Sequence, residues 1–172
     1  MCEEINVLDV AFKSATILIA LTNLIFAYLF FRSKNKREDA DKEKDRKINW
    51  LKTLILDHNL KHYYSFFDEL EKELNKLKTP NLTDLNKQKI DENNAELFIV
   101  VRRKFTDVLL IVDNEIYQET IVLFDKLQGE LTETIFNQGI NLSHQPKFEE
   151  EILSRLSSTK TDVIKKIFNY RG

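Results

Sequence analysis

A run of 18 consecutive residues without a charge, residues 14–31, constrains this chain more than any other feature. As an α-helix the run would be about 27 Å long at about 1.5 Å per residue, close to the hydrocarbon thickness of a bilayer, about 30 Å. The residues before it are acidic and the run ends in aromatic residues, whereas a cleaved signal peptide has a basic start and a small-residue cleavage site. A buried helix of a soluble protein is the other alternative. The run predicts an uncleaved transmembrane helix, preceded by a short extracytoplasmic tail over residues 1–13.

The charges on either side of the run predict its orientation. Four basic residues follow it before any acid, whereas Lys13 alone precedes it among three acids. Because basic residues are retained on the cytoplasmic side, the N-terminus should lie outside and the bulk of the chain in the cytoplasm. In a bacterium this predicts a single-pass protein of the inner membrane. The residues expected to set the orientation and to contact lipid headgroups are Arg32, Lys34, Lys36 and Arg37.

Small and polar residues repeat along one face of the predicted membrane helix. Their 4-3-4 spacing places on that face Thr16, Ala20, Asn23 and Ala27. Small residues allow two helices to approach closely in lipid, and an asparagine amide there gains from a hydrogen bond to a partner. We therefore expect a homo-oligomer that associates through this face, which we call the small-residue face. The alternative is a single asparagine that the membrane tolerates.

A densely charged connector follows, with 13 charged positions among residues 32–47 and no glycine or proline. Oppositely charged residues three and four apart favour a helix, so we expect a solvated helical stalk; a disordered tether is the alternative.

Residues 48–172 show the spacing of amphipathic helices. Seven apolar residues from Leu56 to Leu77 repeat at intervals of 4 and 3, and three further segments repeat similarly. Residues 97–112 hold helical spacing despite their β-branched content, although Asp113 and Asn114 leave open whether that helix continues. Three glycines and two prolines leave little material for the turns of a β fold. We predict an all-α protein whose cytoplasmic part, residues 48–172, is an antiparallel bundle of about four helices.

Two clusters in the bundle are candidates for chemistry. His58 and His62 share a helix face at i,i+4, as zinc ligands do, but Asn59 stands where a zinc protease has its catalytic glutamate; packing at the edge of the core is the alternative. The triplet Arg102, Arg103 and Lys104 could bind an anion, or could form salt bridges to acids of a neighbouring helix such as Asp68, Glu69 and Glu71.

Composition excludes several functions. A single cysteine allows no internal disulfide and no cysteine-based zinc site. From residue 32 onward the chain has 25 basic and 25 acidic residues, which argues against a general nucleic-acid binder. No Walker loop, dinucleotide fingerprint or catalytic triad pattern is present. We therefore expect no enzymatic activity, no cofactor and no metal.

The patterns together predict a membrane-anchored helical scaffold or sensor. Its expected partners are membrane lipid, further copies of itself and an unidentified cytoplasmic protein. The alternative function is a membrane-perturbing effector or toxin, for example of a phage-defence system, whose bundle senses a trigger.

Overall fold

The computed structural model describes residues 7–171, without the side chains of residues 7–11, 14, 15 and 17. Part of the predicted tail over residues 1–13 therefore lies outside the described residues. The described part of the chain is helical and contains no strand, as the sequence predicts. It divides into two compact units, residues 1–44 and residues 45–172.

The first helix, α1, extends over 44 residues as Val7–Trp50. It includes the whole charged connector, so residues 32–47 are helical in the structure. An i,i+4 ion pair joins Lys34 to Glu38 at 3.6 Å, one of the local pairs that stabilise a solvated helix.

Among the described residues, no helix is both long and apolar enough to cross a membrane. The prediction of a transmembrane helix over residues 14–31 is therefore not supported there. Three side chains of that run, those of Ser14, Ala15 and Ile17, lie outside the description.

Four long helical segments form the second unit, and we number them bundle helices 1 to 4. Bundle helix 1 comprises the end of α1, a π-helical segment Leu51–Asn59, α2 Leu60–Leu74 and a 3-10 turn Asn75–Lys78. Bundle helix 2 comprises α3 Asp84–Val101, a π-helical segment Arg102–Thr106 and α4 Asp107–Val112.

Bundle helices 3 and 4 complete the unit. Bundle helix 3 is α5 Asn114–Phe136. Bundle helix 4 comprises α6 Gln145–Phe148, a π-helical segment Glu149–Leu153 and α7 Ser154–Asn169. This number of helices agrees with the prediction of about four.

Polar contacts show that neighbouring bundle helices are antiparallel. Between helices 1 and 2, Lys47 pairs with Asp113. Further along helix 1, Glu73 accepts a hydrogen bond of 2.7 Å from Asn93, which comes before Asp113 in the chain. Between helices 2 and 3, the corresponding contacts are Asp91–Thr132 at 2.7 Å and Arg102–Asp125.

Bundle helix 4 closes the arrangement against helices 3 and 1. Lys166 lies 3.0 Å from Glu119, and Arg155 lies 4.0 Å from Glu130. On the other side, the hydroxyl of Tyr63 donates to the carbonyl of Lys160. The four helices therefore alternate in direction around one core.

Aromatic rings fill the middle of that core. The Phe66 ring lies 5.0 Å from Phe98 and 5.5 Å from Phe124, and the Tyr63 ring lies 5.0 Å from Phe105, all between ring centroids. The two contacts of Phe66 are edge contacts, which add to the stability from burial itself. Burial also raises the pKa of the Tyr63 hydroxyl. Tyr63, Phe66 and Phe67 of bundle helix 1 thus serve core packing.

The 4-3 spacing in bundle helix 1 marks an intramolecular surface. Of the seven positions, Leu56 and Leu60 are half-buried and pack against the core. The other five are buried in the bundle: Tyr63, Phe67, Leu70, Leu74 and Leu77. The predicted amphipathic helix is confirmed, and its partners are the other bundle helices.

The long central apolar segment breaks at Asp113. Its backbone is extended, with φ −164° and ψ 137°, and its side chain accepts a 2.7 Å hydrogen bond from the N–H of Glu115. Asp113 is therefore the N-cap of α5, since an aspartate oxygen satisfies a free N–H of the first turn.

Two buried threonines should respond differently to removal of the hydroxyl. The Thr106 hydroxyl is buried and has no hydrogen-bond partner among the described residues, whereas the Thr120 hydroxyl donates to the carbonyl of Ile116 at 2.7 Å. A buried polar group without a partner costs free energy, so Thr106→Val should raise the free energy of unfolding by about 1 kcal/mol. Urea denaturation measures this. The matched Thr120→Val should give no gain; an equal gain in both would contradict the difference in bonding.

Candidate functional site

The apolar part of α1 is exposed on every side. Residues 18–31 form 14 consecutive helical positions, and every side chain among them is exposed. Ten of these are large apolar or aromatic side chains, which are between 53% and 74% exposed. A surface of this kind far exceeds the scattered apolar residues of an ordinary protein exterior, and such patches mark sites of interaction.

The polar residues in the apolar run differ in their hydrogen bonding. The hydroxyls of Thr16 and Thr22 each donate to a carbonyl four residues earlier, those of Phe12 and Leu18, at 2.8 Å. The amide of Asn23 has no partner among the described residues. Asn23 is thus a side chain of this run whose hydrogen-bonding groups require a partner from outside the helix.

All four residues predicted on the small-residue face are described and exposed: Thr16, Ala20, Asn23 and Ala27. The four basic residues after the run are likewise exposed: Arg32, Lys34, Lys36 and Arg37. Both sets lie on α1, where a helical turn brings residues three and four apart to the same face.

A cavity of about 500 Å³ lies at the end of the bundle where residue 45 enters it. Its wall includes the ion pair of Lys47 with Asp113 and that of Lys166 with Glu119. Hydrogen bonding from Lys47 holds the pKa of Asp113 below its usual range. The cavity was not predicted, because its charged residues come from parts of the sequence that are distant from one another.

The basic triplet of bundle helix 2 is divided between two faces. Arg102 pairs with Asp125 of bundle helix 3. Arg102 and Arg103 both line a cavity of about 290 Å³. Lys104 lines a different, small cavity of about 90 Å³ with His62. The three side chains do not converge on a single anion site, and the salt bridge that forms reaches helix 3 rather than Asp68, Glu69 or Glu71 of helix 1.

The two histidines lie on either side of a change in helix geometry. His58 belongs to the π-helical segment and is exposed, whereas His62 belongs to α2 and is half-buried. Within the described part of the chain, no group of three histidine, cysteine or acidic side chains is placed to hold a metal ion. The third ligand that a zinc site would require is therefore not identified.

The chain matches no protein-family model, no curated protein and no solved structure.

Proposed function

We propose that this protein is a non-enzymatic scaffold or sensor, anchored in a membrane by residues 14–31 and self-associating through that segment. The observation that carries the proposal is the helix over residues 18–31, which has ten large apolar side chains among its 14 residues and is exposed all round. A helix that is hydrophobic on every side is stable when it is buried in a large core or in lipid. Since this one is exposed, lipid is the environment that would cover it.

Two features of the flanks and the interior support insertion in lipid. Thr16 and Thr22 bond to the carbonyls of their own helix, which satisfies their hydroxyls without water. The exposed basic residues from Arg32 to Arg37 follow directly and suit anionic headgroups on the cytoplasmic side. We therefore propose an inner-membrane location with the N-terminus outside and the bundle in the cytoplasm.

Self-association is proposed on the basis of Asn23. In hydrocarbon an amide without a hydrogen-bond partner is costly, and a second copy of the same helix provides a matching amide. Ala20 and Ala27, one turn on either side, allow the two backbones to approach. The bundle would then be presented as an oligomer to an unidentified cytoplasmic protein.

Replacing Asn23 by leucine tests the proposal. We expect the full-length protein in mild detergent to be a defined oligomer and Asn23→Leu to shift it towards monomer, because the interhelical hydrogen bonds, worth about 1 kcal/mol each, are lost. Light scattering of the detergent complex measures the mass. The shift should correspond to a roughly fivefold weaker association if one such bond is lost and a roughly thirtyfold weaker one if two are lost.

Thr22→Val is the matched control for this experiment. Thr22 is polar and lies in the same run, but its hydroxyl is satisfied by Leu18 and it is outside the small-residue face. It should leave the mass unchanged. A monomeric wild type, or an oligomer that both substitutions weaken equally, would refute self-association through Asn23.

A further inference from the structure

Asp113 connects three separate parts of the bundle unit. It accepts a hydrogen bond from the ammonium group of Lys47 and one of 2.7 Å from the N–H of Glu115, and hydrogen bonding from Tyr170 also lowers its pKa. Lys47 is in the last turn of α1, Glu115 is in the first turn of α5, and Tyr170 follows α7. We call this set the Asp113 junction.

The ion pair of the junction is partly shielded from water. The side chain of Lys47 is 28% exposed and that of Asp113 is 15% exposed. A charge-assisted hydrogen bond that is partly withdrawn from solvent is stronger than an exposed surface pair. The pair therefore contributes to holding the end of α1 against the other helices.

The junction is nevertheless open to change, because it forms part of the wall of the 500 Å³ cavity. Glu115 and Glu119 face this cavity with the basic residues Lys165, Lys166 and Arg171. Ions or charged groups that enter it meet both members of the Lys47–Asp113 pair.

A change in helix geometry follows the junction directly. Four residues after Lys47, α1 gives way to the π-helical segment Leu51–Asn59, whose Leu51 and Ile55 are buried in the core. Such segments interrupt the regular α-helical hydrogen bonding and frequently occur at functional positions. The end of α1 is thus fixed by an ion pair and is followed directly by a segment of different helix geometry.

We propose that the Asp113 junction is a conformational latch, which holds the end of α1 to the bundle and releases it when the ion pair opens. In the released state the four-helix core stays folded and residues 45–50 of α1 become free up to the π-helical segment. The latch concerns residues 45–172 alone, so it does not depend on whether the apolar run lies in a membrane.

The test compares full-length variants by hydrogen–deuterium exchange. Lys47→Met and Asp113→Asn both break the ion pair, but asparagine keeps the N-cap of α5, since it caps as well as aspartate. Both should accelerate exchange over residues 45–50 by about tenfold and leave the core and the first turn of α5 unchanged. Lys47→Arg should retain the wild-type pattern.

Trp50 provides a second readout, because it is the single tryptophan of the chain and lies one turn after Arg46, whose guanidinium is 4.9 Å from its ring centroid. Acrylamide should quench Trp50 more strongly in the two latch variants. Lys166→Met, which removes a different ion pair of the same cavity, is the control and should change neither readout at residues 45–50.

Two results would overturn the latch. Unchanged exchange over residues 45–50 in both Lys47→Met and Asp113→Asn would show that the ion pair does not hold the end of α1. Faster exchange throughout the bundle would show that the contact supports general stability and is not a local release point.

Discussion

Replacing Leu21 and Ile25 together by lysine should move the protein from the membrane fraction of cells to the soluble fraction. The two residues lie one turn apart near the middle of residues 14–31, on the side away from Asn23. Each lysine near the centre of a membrane helix costs about 2.5–3.5 kcal/mol. The pair therefore lowers the preference for lipid by about 5–7 kcal/mol, a factor of at least about a thousand. Fractionation with an alkaline carbonate wash measures the distribution.

A control with the same charges on the bundle separates anchoring from general solubility. Ile111 and Val122 are apolar and 61% and 62% exposed, close to the 54% of Leu21 and the 60% of Ile25. The double variant Ile111→Lys, Val122→Lys should stay in the membrane fraction. If the Leu21/Ile25 variant also stays there after the wash, residues 14–31 are not the anchor; if only the bundle variant is released, the bundle is what binds the membrane.

Phe105→Ala should be the most destabilising single substitution that we predict in the bundle. The Phe105 ring is 0% exposed and its centroid lies 5.0 Å from that of Tyr63, across the interface of bundle helices 1 and 2. Truncating a buried phenylalanine to alanine removes the transfer free energy of the ring and leaves a cavity, at a cost of about 3–5 kcal/mol. That is a large part of the typical stability of a domain, about 5–15 kcal/mol. The midpoint of urea denaturation, with an unchanged slope, reports the loss.

Phe168→Ala removes the same number of atoms from the surface. Phe168 is 60% exposed, so its truncation should change the free energy of unfolding by no more than about 0.5 kcal/mol. A loss below about 1 kcal/mol for Phe105→Ala, or similar losses for the two variants, would contradict the packing of helices 1 and 2 around this ring.

Local features of the sequence were sufficient to predict the helices. In bundle helix 1 the 4-3 spacing identifies the buried side, and five of its seven residues are fully in the core. Each such pattern needs only neighbouring residues and the geometry of the α-helix. The apolar run and the small-residue face were identified in the same way, and their function in lipid stays a proposal.

Contacts between distant residues could not be predicted in this way. Arg102 pairs with Asp125 rather than with an acid of bundle helix 1. A periodic pattern shows which side of a helix is buried but not its axial position against a neighbour, which the interlocking of side chains decides. The absence of a partner for the Thr106 hydroxyl likewise depends on how helix 2 meets the others.

The Asp113 junction shows the difference between what local sequence patterns determine and what depends on the packing of the helices. By itself the sequence determined an apolar helix, a charged connector and a set of amphipathic helices, because each depends on residues close in the chain. Only the tertiary structure decided that Asp113 ends bundle helix 2 and accepts a hydrogen bond from Lys47, which lies 66 positions earlier in the chain. The physical reason is that the register of packed helices, and not their periodicity, brings those two charges together.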